Sequence, residues 1–235
     1  MKKLIVLISL LLAFSLFANL GEDPYKTLRG KKLTYINYFD GDNVGKITIK
    51  VKDTTFDNKS RTSIKFHNKF HIRKFLVFTY DYDSKIEVSF SDKGVVYAGA
   101  KSNIDGDKYQ YFIRYNKGKL KKTNLLNNKT TKVAPFVEIS LNFIFSEKMK
   151  KALTKSWRTD AVLGIETGEK EKVKVKKAGK KTIKVFGKTY NTFVTKWVKG
   201  PRTGVSYYDI KTGILIRSDV TKDGNTMVIK LKSIK

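Results

Sequence analysis

Few side chains in this sequence could carry chemistry. Its only histidines are His67 and His71, and it has no cysteine. Four residues apart, the two rings share a face on a strand or on a helix. A metal site would need a third histidine or a carboxylate beside them, and the neighbouring sequence supplies no such pattern. They read as ordinary surface or half-buried histidines. There is no G-x-S-x-G elbow and no S-x-x-K arrangement to activate a serine. Three close carboxylate pairs, Asp40/Asp42, Asp81/Asp83 and Asp105/Asp107, could in principle hold calcium. None continues into a twelve-residue loop with a terminal glutamate, and Asp-Gly is ordinary turn chemistry, so turns are expected there. The chain reads as non-catalytic, with no cofactor and no metal.

Charge is the next chemical signal. The chain carries 49 basic and 21 acidic residues, a formal net charge of +28. Such a field attracts polyanions at low salt. Only 7 of the 49 are arginine, the residue whose planar fork grips phosphate in two places. That deficit argues against specific nucleic-acid recognition, and no Walker, Rossmann or RNA-binding motif is present. A weak anionic envelope surface is the partner that diffuse lysine implies. Glu169 to Lys188 concentrates nine lysines. They mostly alternate with Val173, Val175, Ile183 and Val185, as on the solvated face of a hairpin, where lysine also protects a sheet edge.

Met1-Lys2-Lys3 and the 14 residues from Leu4 to Phe17 form a basic start and an apolar run. The run is short for a membrane span of about 20 residues and fits a secretory signal peptide. Residues 1–18 are therefore expected to be removed after Ala18, leaving a single β-rich domain over 19–235 in the periplasm. The mature protein must do without disulfides although its compartment permits them.

Elements that could position a site follow from periodicity. Ile47, Ile49 and Val51 alternate with Lys46, Thr48, Lys50 and Lys52, which predicts a strand with one buried face. Strands are also expected at Leu33–Phe39, Lys85–Phe90, Val95–Lys101, Lys108–Tyr115 and Lys119–Asn124. Two more fall within Ser63–Asp83, broken near His67 to Arg73, and a polar loop is expected over Asp53–Arg61. A second meander spans Glu169 to Ile234, with turns at Gly187-Lys188, Gly200 to Gly204, Lys211 to Gly213 and Asp223-Gly224. Between the meanders, Val137, Leu141 and Ile144 fall at helical spacing after Pro135, which predicts a short buried helix, with strands as the alternative because β-branched and aromatic residues are frequent there. A further short helix is expected over Glu147–Leu153. The fold class is mainly β: a strongly curved antiparallel sheet, an incomplete barrel, with a short helical lid or plug between two meanders.

The strand, turn and aromatic-rich strand from Thr182 to Val198, and the unit from Tyr207 to Asp219, resemble uncharacterised bacterial envelope proteins of unknown function. The stretch from Tyr35 to Ile49 is similar to them as well. In architecture these domains resemble the periplasmic lipoprotein carriers, LolA/LolB-like half-barrels with a helical lid. The resemblance implies an unclosed sheet around an apolar cavity and transfers no catalytic residue. It also implies a basic residue near the cavity, which the sequence does not locate. Two readings follow. In the first, the protein binds or carries an apolar ligand, a lipid or acyl chain. Phe193, Trp197, Ile214, Ile216, Met227, Ile229 and Leu231 would line the site, with Phe136 and Phe143 from the helical segment. In the second, a non-catalytic envelope protein docks on anionic lipid or polysaccharide through its basic surface.

Overall fold

The computed structural model describes residues 28–56, 59–74, 78–91, 94–116, 119–133, 138–139, 157–164 and 169–235. The first meander comprises β1 (Lys32–Phe39), β2 (Asp42–Phe56), β3 (Lys59–Lys74), β4 (Phe78–Ser91), β5 (Gly94–Ile104), β6 (Asp107–Asn116), β7 (Lys119–Asn124) and β8 (Thr130–Val133). Two short strands follow, β9 (Glu138–Ile139) and β10 (Trp157–Gly164). The second meander is β11 (Glu169–Val185), β12 (Lys188–Lys199), β13 (Arg202–Asp209), β14 (Leu215–Lys222) and β15 (Asn225–Ile234).

All fifteen strands belong to one sheet. From the β8 edge the order descends to β1, passes to β15, and descends again to β9 at the other edge. β1 is the seam, paired antiparallel with β2 on one side and β15 on the other. Among the described strands only β9 and β10 pair in parallel. No described strand joins the two edges, so the sheet is not closed. Both halves nonetheless send side chains into one hydrophobic core, among them Ile49, Phe66 and Ile86 from the first and Trp197, Tyr208 and Ile229 from the second. One face of the sheet is therefore curled around a common interior, and the other carries most of the lysines.

Turn chemistry sets the register. At Asp40-Gly41, Asp105-Gly106, Phe186-Gly187 and Asp223-Gly224 both residues have positive φ. That is the two-residue hairpin whose twist matches its strands.

Several expectations change. Asp53–Arg61 is not a loop: β2 runs to Phe56 and β3 starts at Lys59, as a long hairpin. β3 also runs unbroken through His67 to Arg73, because Phe66, Asn68, Phe70 and Ile72 keep the inward alternation. Gly204 is not part of a turn but a β13 residue paired with Trp197. Asp81 and Asp83 lie inside β4, opposite His71 and Lys69. Most of the expected helix after Pro135 lies outside the described residues, as do the whole of the expected second helix, the leader, Phe136 and Phe143. Within that stretch Glu138–Ile139 is a strand paired with Val162 and Leu163, and there is no α-helix among the described residues. β-branched and aromatic residues crowd this segment, and such residues favour extended chain. β10 itself was not foreseen.

Candidate functional site on the inner face

Of the seven C-terminal residues singled out by alternation, Phe193, Trp197, Met227, Ile229 and Leu231 share the inner face, and Ile214 and Ile216 are buried in the same core. Trp197 faces Gly204, Gly204 faces Val220, Val220 faces Met227 and Met227 faces Phe39. A parallel row runs Thr195, Ser206, Ser218, Ile229 and Asn37. A third holds Phe193 opposite Tyr208 and Leu231 opposite Tyr35. Ile214 and Ile216 flank Leu215, which meets Tyr208 where the β13–β14 register shifts. None of the seven is more than 5% exposed.

Trp197 is locked in place. Its indole Nε1–H donates to Ser206 Oγ at 3.1 Å, and Ser206 and Ser218 share a hydroxyl contact of 3.0 Å. Its ring covers Gly204, where even a Cβ would collide with it. The tryptophan is thus a fixed wall of the interior.

Polar groups that periodicity alone did not flag also face inward. Asn37 Nδ2 donates to Asn68 Oδ1 at 3.0 Å, across the intervening strand β2. Gly45 faces Asn37 on β2, and a Cβ there would meet the Lys69 carbonyl and Phe70, so only glycine fits beneath the pair. Both asparagines are fully buried. Asn37 Oδ1 and Asn68 Nδ2 find no hydrogen-bond partner among the described residues. Ser84 and Ser102 extend the polar patch with a 2.6 Å hydroxyl pair. The available signal was an asparagine at an inward position, between Tyr35 and Phe39 and between Phe66 and Phe70.

Cations mark one end of the same face. Lys199 pairs with Arg202 across the β12–β13 ladder, and the Thr203–Thr221 register carries that line on to Lys222. The three are only 3%, 5% and 7% exposed, a degree of burial uncommon for cations. Lys222 lies 3.8 Å from Asp223. Three basic residues thus occupy inward positions of β12, β13 and β14 that alternation did not mark.

The histidines face outward, and each has its own carboxylate. His67 Nε2 lies 2.9 Å from Asp83 Oδ1, and His71 Nδ1 lies 2.8 Å from Asp81 Oδ1. No cluster of three metal-ligating side chains occurs among the described residues.

Residues 35–232 match a domain of unknown function, DUF6134. The chain belongs to that family. In fold it is similar to a β-barrel-like protein of the DUF1849 domain of unknown function from Brucella abortus. The two share 10% identity with a TM-score of 0.64, over 87% of this chain and 96% of that one. A DUF1329 family protein from Desulfovibrio piger is also found, at 10% identity over 87% of this chain and 84% of that one, with a TM-score of 0.19. Comparison with curated proteins finds no match. The DUF6134 match spans the inner-face residues of both meanders described above.

Proposed function

We propose that this DUF6134 protein is exported to the periplasm and there binds an apolar ligand, a lipid or acyl chain, along the inner face of its half-barrel. It acts as a non-catalytic carrier, in the manner of the LolA/LolB-like half-barrels. The observation that carries the reading is the Asn37–Asn68 pair. It offers one free acceptor and one free donor, side by side, within an apolar concave surface. Buried polar groups are normally satisfied, and those that are not call for an explanation. Large apolar sites with a few placed polar groups are the usual form of small-molecule pockets. A protonated carboxylic acid or an amide head, which both donates and accepts, would meet both atoms, while its chain lies along Phe193, Ile229 and Leu231. The barrel-like fold of the DUF1849 relative agrees with a ligand-binding shell, but that likeness is one of fold alone.

The experiment is native mass spectrometry of protein purified from the periplasmic fraction, followed by titration with a fluorescent fatty-acid probe. Co-purified lipid, or saturable probe binding that weakens in Asn37→Leu, is the expected result. Protein that carries no lipid and binds no probe overturns the reading.

A further inference from the structure

The outer face of the first meander holds a second feature, on the opposite side of the sheet from the inner face. β1 to β6 form a groove there of about 800 Å³. Seven lysines line it, against a single carboxylate, Glu87. Glu87 is engaged, accepting from Ser63 Oγ at 3.0 Å and lying 3.5 Å from Lys65 Nζ.

Register makes this more than a solvated lysine surface. Lys46 stands opposite Lys69, Lys50 opposite Lys65, and Lys85 opposite Lys101. Lys32 stands opposite Lys50 on the other side. Like charges directly opposite one another on neighbouring strands are destabilising, and the neutral or acidic alternatives would relieve them. A groove that keeps several such pairs holds a concentrated positive field.

We propose that this groove binds a linear anionic polysaccharide, a chain bearing carboxylate, sulfate or phosphate on successive sugars. Three features select this occupant. The lysine columns repeat at the inter-strand spacing of about 4.8 Å, close to the length of one sugar unit. Two of the groove's aromatic rings already carry a cation: the Arg114 guanidinium lies 5.1 Å from the Phe112 ring centre and 6.0 Å from that of Tyr97. Single-stranded nucleic acid needs open aromatic faces for its bases. Lysine supplies point charges suited to a spaced series of anions rather than one gripped phosphate.

The test uses the full mature chain and a labelled polygalacturonate oligomer as probe, with fluorescence anisotropy at several salt concentrations. Binding that falls steeply with salt is expected. A fourfold variant, K50Q/K65Q/K85Q/K101Q, should lose at least about tenfold in affinity. Its salt slope should shrink by roughly one per lysine removed. Its melting temperature should hold or rise, because cross-strand repulsion is relieved. A control, K180Q/K181Q/K184Q/K188Q, removes equal charge from the far hairpin and should bind as wild type. If the fourfold groove variant does not fold, the pairs K50Q/K65Q and K85Q/K101Q are read in the same way. Equal loss in groove and control variants reduces the effect to diffuse charge and overturns the proposal, as does absent binding at low salt. Tighter binding of an oligothymidylate, or of vesicles rich in anionic lipid, assigns the groove to those partners instead. Fatty-acid binding at the inner face is independent of every one of these results.

Discussion

Trp197 lies flat over Gly204, its cross-strand partner, with its indole N–H on Ser206 one row away. The contact joins β12 to β13 with the bulkiest side chain above the residue that has none. A Cβ at Gly204 would collide with the indole and lie 2.8 Å from the Asp219 carbonyl. Gly204→Ala should therefore cost roughly 1–3 kcal/mol, the usual range for overpacking. Trp197→Ala should cost roughly 3–5 kcal/mol. The two should be non-additive, since removing the indole relieves its clash with the methyl group and leaves only that with the Asp219 carbonyl. Urea denaturation of the single and double variants measures this, and additive losses would show that the stacking is not the cause.

A different signature is expected at Asn37 and Asn68. Replacing either asparagine alone with leucine leaves the other's polar atoms buried without a partner, which costs about 1–3 kcal/mol. Replacing both together removes every stranded group and should recover most of that loss. A double variant less stable than either single would mean that the pair organises the seam between β1 and β3 beyond its own hydrogen bond.

How much of this could be read in advance differs by feature. Alternation with Asp-Gly turns was enough for both meanders and for the shared face of Phe193, Trp197, Met227, Ile229 and Leu231, because a period of two leaves one choice of face. It was not enough at Asn68, where a polar residue interrupts an apolar series and looks like a break. There the strand continues because the amide finds its partner on β1, thirty-one residues away in sequence. Asp81 and Asp83 misled for a similar reason. They face His71 and Lys69 across the ladder, and long-range pairing of this kind leaves no local mark. The row Lys199, Arg202 and Lys222 was hidden because lysine and arginine at hairpin ends look solvent-facing. The groove on the outer face needed the register itself, since lysine opposite lysine can be seen only once strands are aligned.

Export makes a separate prediction. Ala18 is the small residue best placed after the apolar run, so the mature chain should begin near Asn19. Intact mass measurement of protein from the periplasmic fraction checks it. A product that retains Met1 and pellets with membranes would show an uncleaved anchor instead.

Alkaline stability gives the last prediction, centred on Tyr97. Its phenol is held above the ordinary 10.0, first by burial and then by the nearby Glu87 carboxylate, with Arg114 opposing. Tyr207 repeats the arrangement in the second meander, raised by burial and by Asp219 and opposed by Arg217. A raised value in the folded state means that folding favours the protonated phenol. The native protein then binds more protons than the unfolded chain once the pH passes the unfolded value, so stability falls as pH rises. Both contributions are fully present below pH 10 and are lost as the pH climbs through the raised values. Tyr97→Phe removes one ionisation and its desolvation cost, so its denaturation curve should change less than that of wild type between pH 9 and about pH 11. Tyr97→Phe/Tyr207→Phe should flatten it further. Chemical denaturation at stepped pH measures the slope. An unchanged slope in the double variant would assign alkaline loss to other groups, lysine deprotonation first among them.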